Sequence, residues 1–513
     1  MYRRLLAVVL CVTLTSPRLA LACSGDLSVV EGPSSLQTEV ANLAAANDAV
    51  QNSENAKALD LIKAVLAAPV FAELPSAQQH AAYVLGGWAY RAAGDPKTAL
   101  ELLKKSSVMP EATGADWHAR FTAAYLSGDK DDATESLRII ARRWPDSLSS
   151  IKDEIISRLA YDAWRLPDGQ RRQTDLLAAL FDANWTFNGP FFDASPLWLD
   201  LARLLIAARD IRRAAAVAQA VREPYAVAEM KIDKIFDPIT QASPARFDPQ
   251  LAMTAYIAEL RAKVAAHPDS LSGVNRLAMY LMSARRDEEA IKLCDEALAK
   301  ALPGDGSKSS YADAETEVIW TLDTRSRALA RLGRYDEAVA ALQRAARRPE
   351  GGRINVSQTI NLAELYARMG RPKDALAAVA DVSPRNVSPY GLVAAEEAKA
   401  MAYAQTGDAP ALARSIALGW AHLQDAPGVL EAMLVSADDI DGAAKLYVDR
   451  LADPSMRDAA LSELQEWRRG AVGSAFDRSL YDRTAAIRAR PDVKAAVDKV
   501  GRIESFDFYQ GPG

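Results

Sequence analysis

The sequence is poor in the residues that carry most enzyme chemistry. It has three cysteines and four histidines in 513 residues. His80, His118, His267 and His422 are scattered, with no ligand spacing between any two. No Cys-x-x-Cys, no His-x-x-x-His and no glycine-rich phosphate loop after a strand pattern occurs. Cys11, Cys23 and Cys294 offer no disulfide framework. Cys294 shares an apolar stripe with Ile291 and Ala297, which makes it a small core residue rather than a reactive thiol. Aromatics are only 7%, too few to favour a β-sandwich, and the net charge of -6 offers no basic field for nucleic acid. Acidic pairs such as Asp131-Asp132, Glu288-Glu289 and Asp438-Asp439 fall at expected helix starts. There the helix dipole and water account for them without a metal. No catalytic residue, metal ligand or cofactor is expected.

What is present is Ala- and Leu-rich apolar sequence, 50% hydrophobic against 25% charged, which excludes chain-wide disorder and favours closely packed helices. Residues 1–22 read as a secretory leader. Arg3 and Arg4 precede the apolar run Leu5 to Leu14, and Ala20-Leu21-Ala22 is a cleavage site. No later apolar run of about 18 residues follows, so no transmembrane helix is expected after leader removal. The expected compartment is the periplasm or cell envelope. Cys23 stands directly after the cut, where a lipoprotein carries its anchor. Ala20 and Leu21 reverse the usual order before such a cysteine, which favours ordinary cleavage; a lipid anchor at Cys23 is the alternative.

The most regular stretch is Trp320 to Ala346. Leu322, Leu329 and Leu332 form one helical stripe, and Leu342 and Ala345 form a second. Gly333 sits between them where a left-handed residue ends a helix, and Asp336 and Glu337 suit the first turn of the next. The pattern recurs. Tyr83, Gly87, Tyr90, Gly94, Ala99 and Leu103 give one copy; Trp117, Phe121, Tyr125, Gly128, Ala133 and Leu137 give the next. Gly94 and Gly128 are 34 residues apart, whereas Gly333, Gly370 and Gly407 are spaced by 37. Further copies surround Trp198 to Val221, with Arg209-Asp210 in place of the turn glycine, and Leu271 to Leu298.

The order of large, small and aromatic residues around a glycine turn resembles the tetratricopeptide repeat family, with Leu322, Ser326, Leu329, Gly333, Ala338, Leu342 and Ala345 filling its positions. The resemblance covers most of Gln37 to Leu451. It implies an all-α, right-handed solenoid of helical hairpins. Repeats are expected in 23–222 and 269–451, with a Pro-containing connector and helix in 223–268. Residues 452–513 should cap the last hydrophobic face, as a solenoid end requires.

In that family the first helix of each hairpin lines the concave face. The resemblance therefore places Trp88, Arg91, His118, Tyr125, Arg203, Asn275, Trp320, Asp323, Arg327, Glu364 and Arg368 on a groove that binds a protein or peptide partner. The family's Lys-Asn-Arg carboxylate clamp is not carried over, because Val84 and Trp88, then His118 and Thr122, stand at the corresponding positions. The function expected is an exported interaction scaffold. The alternatives are an envelope assembly or secretion lipoprotein anchored at Cys23, and an accessory protein binding glycan or peptidoglycan.

Overall fold

The computed structural model describes residues 34–303, 308–350 and 354–510. The expected leader, residues 1–22, and Cys23 lie outside these residues. Two compact units divide the chain, and each is described by itself.

The N-terminal unit spans 34–188 and 197–217 of the described residues. It stacks α1 (Ser34–Gln51) with α2 (Asn55–Ala67), α3 (Ser76–Ala92) with α4 (Pro96–Ser106), and α5 (Gly114–Ser127) with α6 (Lys130–Arg143). α7 (Asp153–Asp162), α8 (Gly169–Asp182), α9 (Ser195–Ala207) and α10 (Ile211–Ala218) follow. Apolar side chains at helical spacing interlock between neighbours: Leu43, Ala46, Ile62, Val65, Ala82 and Leu85 form one buried cluster. Gly87 is the small mid-helix residue of the repeat. A β-carbon there would lie 2.5 Å from Leu103 Cγ, so α3 and α4 approach closely only because it is absent.

The second unit comprises 189–196 and 218–510 of the described residues. It opens with α11 (Pro224–Ile232), α12 (Asp237–Thr240) and α13 (Pro249–Ala266). Five hairpins follow: α14 (Leu271–Ser283) with α15 (Asp287–Ala301), α16 (Ala314–Arg331) with α17 (Tyr335–Ala346), α18 (Val356–Arg368) with α19 (Pro372–Ala378), α20 (Pro389–Thr406) with α21 (Ala409–Ala421), and α22 (Pro427–Ser436) with α23 (Ile440–Ala452). The tail forms α24 (Arg457–Glu463), β1 (Glu466–Arg468), α25 (Ala475–Ala489), α26 (Pro491–Val500) and β2 (Ser505–Tyr509).

The turn chemistry works as the sequence implies. Gly94, Gly128, Gly333, Gly370 and Gly407 all take φ between 73° and 81°, which a β-carbon disfavours. Where glycine is missing, Arg209, Arg285 and Asp438 accept φ of 63–64°. In the best-formed hairpin the Ser326 hydroxyl donates to the Ala338 carbonyl at 2.7 Å, tying α16 to α17 where both residues are buried. Cys294 is fully buried, and burial pushes its thiol up to about 12.

The tail does more than cap the last hairpin. α24, α25 and α26 pack on α23. Leu464, Leu480, Ile487, Val497, Phe506 and Phe508 then join the same continuous core as Met253, Leu277 and Leu329. β1 and β2 pair in parallel, Glu466 opposite Ser505. The Trp467 and Phe506 rings stack at 4.5 Å. β2 packs on α13 and α14, and the Tyr225 hydroxyl donates to the Tyr509 carbonyl at 2.8 Å. Arg502 grips both oxygens of Asp237 at 2.7 Å, and its amide donates to the Ile232 carbonyl. The chain end thus returns from the last hairpin to the first helices of its unit. The two Phe-Asp-Pro motifs of the connector divide the labour: Phe236 and Phe247 are buried, Asp237 anchors the tail, and Asp248 caps α13.

Candidate partner-binding face

The face expected to bind a partner lies on the first helix of each hairpin. In the N-terminal unit, the Arg91 guanidinium sits over the Trp88 ring at 4.1 Å on α3. Both residues are half-buried, and burial lowers the arginine's pKa. A partly desolvated cation held flat on an aromatic ring is a pre-shaped anchor. On α5, Tyr125 is half-buried and lies nearly parallel to Phe121, with ring centroids 6.4 Å apart. His118 is committed elsewhere. Its Nε2 meets the Ser147 hydroxyl at 2.8 Å, and that hydroxyl donates to the Trp144 carbonyl, so the ring nitrogen donates. Burial lowers the imidazole's pKa, which suits a neutral structural link. Arg203 on α9 pairs with Asp200 at 3.3 Å on its own helix.

In the second unit two expected groove residues are corrected. Asn275 and Asp323 are 7% and 5% exposed, buried between successive first helices. The Thr324 hydroxyl donates to Asn275 Oδ1 at 2.7 Å, and Asn361 Nδ2 donates to Asp323 Oδ1 at 2.9 Å. The Thr324 hydroxyl pairs with the Asn275 amide from α16 to α14, and the Asn361 amide with the Asp323 carboxylate from α18 to α16, as buried polar groups require. Arg327 pairs with Asp323 at 2.8 Å. Trp320 is 37% exposed and Glu364 half-buried. Arg368 is held by the tail, its Nη1 2.8 Å from Asp477.

Sequence reasoning missed the tail as an occupant of this unit. The segment between β1 and α25 crosses the C-terminal ends of α16 and α18. The Ala471 amide donates to the Arg331 carbonyl and the Tyr335 hydroxyl donates to the Ala471 carbonyl, both at 2.9 Å. The Arg331 guanidinium lies 4.0 Å over the Tyr509 ring. A signal was present in the spacing of Gly470 and Gly473. A β-carbon on the first would lie 3.0 Å from Arg331 Cα, and on the second 2.8 Å from the Arg368 carbonyl oxygen.

Among the described residues no group of three or more His, Cys, Asp or Glu side chains could hold a metal ion. No described helix is long and apolar enough to cross a membrane. No protein-family profile and no curated protein matches the sequence. Solved structures do. Yeast Tom70 is 12% identical, with 90% of this chain and 99% of that chain covered and a TM-score of 0.30. Cut9 in the APC/C hetero-tetramer Cut9-Hcn1 is 12% identical over 90% and 89%, at 0.28. The TPR domain of P58(IPK) is 14% identical over 80% and 98%, at 0.20. The chain's own hairpins show the fold: paired antiparallel helices, left-handed glycine turns, and buried small residues where the helices cross. Each unit is an all-α stack of antiparallel helical hairpins, the fold that the resemblance to tetratricopeptide repeats implies.

Proposed function

We propose that the protein is an exported interaction scaffold that binds a protein or peptide partner on the first-helix face of its N-terminal unit. The observation that carries this is the Arg91–Trp88 stack on α3, with Tyr125 on α5. Arginine and aromatic side chains of this kind supply most of the binding energy at protein interfaces. Stacked hairpins bury their apolar faces on one another and leave the remaining face free for a partner. Export rests on the leader sequence of residues 1–22, and mass spectrometry of the mature N-terminus tests it together with the state of Cys23. The binding face is tested by placing a photo-crosslinking residue at position 91 or 125 in the cell envelope. Crosslinks to one partner, lost in a Trp88→Ala/Arg91→Ala chain labelled at 125, are expected. Crosslinks that survive the double substitution unchanged, or labelling of cell-wall polymer alone, would overturn the proposal.

A further inference from the structure

The segment Arg468–Ser474 differs from the rest of the tail. Leu464 before it, and Leu480 and Ile487 after it, are buried in the core. Between them Arg468, Arg469 and Ala471 are exposed, and Gly470, Val472, Gly473 and Ser474 are only half-buried. Its two arginines are held by their side chains, Arg468 by Asp507 at 2.7 Å and Arg469 over the Tyr481 ring at 4.6 Å, whereas the stretch that crosses the turns is held through its backbone, by the Ala471 amide and carbonyl. It also keeps step with the hairpins. Ala471 lies against Gly333, and Ser474 lies against Gly370, three residues on and one hairpin further. Three extended residues span about 10 Å, and packed helices lie about 8–10 Å apart. An extended chain with two small residues three apart therefore matches these two turns, while the next turn, at Gly407, is left open.

A segment with few buried apolar contacts, tethered at both ends, opens locally at far lower cost than the unit unfolds. Opening uncovers the Arg331 carbonyl and the Tyr335 hydroxyl. We infer that the row of turns at Gly333 and Gly370 is a second docking site, for an extended partner segment with small residues three apart, and that Arg468–Ser474 is its built-in occupant. The tether gives this occupant an effective concentration on the order of millimolar, so a partner must outcompete it or capture the open state. The site does not involve Trp88 or Arg91, so its failure and that of the N-terminal face are separable.

The test uses the full chain and a fluorescent peptide of this protein's own residues 467–478. In Gly473→Val the new side chain meets the Arg368 carbonyl and should displace the segment. The peptide is expected to bind this variant at least tenfold more tightly than the wild type, and Tyr335→Phe in the same background should weaken it. Trp88→Ala should change nothing. In the wild type, the Ala471 amide should exchange with deuterium at least a hundredfold faster than the Leu329 amide of α16. The proposal is overturned if Gly473→Val accelerates Ala471 exchange without gaining peptide binding. It is equally overturned, whether or not the variant folds, if wild-type Ala471 exchanges no faster than Leu329.

Discussion

The two units build the same hairpin and finish it differently. In the N-terminal unit the turn glycines Gly94 and Gly128 have open space where a β-carbon would stand. In the second unit Gly333 and Gly370 are covered by Ala471 and Ser474, while Gly407 stays open like the N-terminal pair. The N-terminal core includes a local cluster shared by α1, α2 and α3. The second unit has one continuous cluster running from Phe191 and Ala228 to Phe508. A repeat array held only by nearest neighbours has stability that adds up hairpin by hairpin. A tail that ties the last hairpin to the first helix converts that sum into a single cooperative unit. The hydrogen bond between Tyr225 and Tyr509, 284 residues apart, is such a tie.

Breaking the tie should have the largest effect. Phe508 is 1% exposed in the continuous core. Phe508→Ala should cost ~3–5 kcal/mol. The loss should appear as faster hydrogen exchange throughout α11 to α26, including α16 and α18, which lie far from β2 in sequence. Ile62→Ala in the N-terminal cluster should cost ~2–5 kcal/mol, with accelerated exchange confined to α1, α2 and α3. If Phe508→Ala loosened only β2 and α13, the cooperative closure would be wrong.

Buried charge separates the units next. In the second unit Arg450, 1% exposed, is gripped by Glu431 and by Glu463 at 2.7 Å, with Tyr447 beside them. Glu431 is also 1% exposed. Burial, and then the neighbouring Glu463 charge, push its carboxyl well above the ordinary 4.5, against the pull of Arg450. Arg450→Met leaves two carboxylates facing one another and should cost ~3–5 kcal/mol. The sign of the pH effect follows from the raised pKa. A proton held more tightly in the folded state stabilises fully below about pH 4.5, and that contribution is lost as pH rises toward the folded value. In the N-terminal unit Asp116 shows the reverse. Burial alone would raise it, but His80 at 3.0 Å and the Thr113 amide and hydroxyl together hold it below 3.8. Its contribution is present above about pH 4 and lost as pH falls through the lowered value. Hydrogen exchange against pH should therefore show α5 loosening in acid and α22, which carries Glu431, loosening toward alkaline pH. Glu431→Gln should flatten the α22 profile alone, and an unchanged α22 profile in that variant would refute the assignment.

The hairpins were legible because their determinants are local. A turn glycine, an acidic first turn and a stripe of Ala and Leu fit within about thirty residues, and the recurrence of Gly94 and Gly128 confirms the frame. The groove was less legible. Asn275 and Asp323 are polar residues on first helices, and a helical wheel cannot separate a solvent-facing position from one that meets the next first helix. The tail was illegible in its destination. Phe506 and Phe508 alternate as one apolar face of a strand does, but nothing near them in sequence names α13 and α14 as what that face meets. Only Gly470 and Gly473, glycines in a segment without a turn to make, hinted that another backbone comes close.

The smallest contrast lies in the turns that lack glycine. Arg209 and Arg285 occupy equivalent turns with φ of 63° and 64°. A left-handed non-glycine residue costs roughly 1–2 kcal/mol, and glycine returns part of that gain through its greater freedom in the unfolded chain. Arg209→Gly should therefore stabilise the N-terminal unit by about 0.5 kcal/mol. Arg285→Gly relieves the same strain but removes an ion pair with Asp507, 2.8 Å away on β2. Asp507 keeps Arg468 at 2.7 Å, so the loss is that of one exposed, solvent-screened pair. The two substitutions should differ in sign or by several tenths of a kcal/mol, measured as midpoint shifts in urea for each unit's own transition. Equal gains at both turns would mean that the contact between Arg285 and the returning tail contributes nothing to the closure of the second unit.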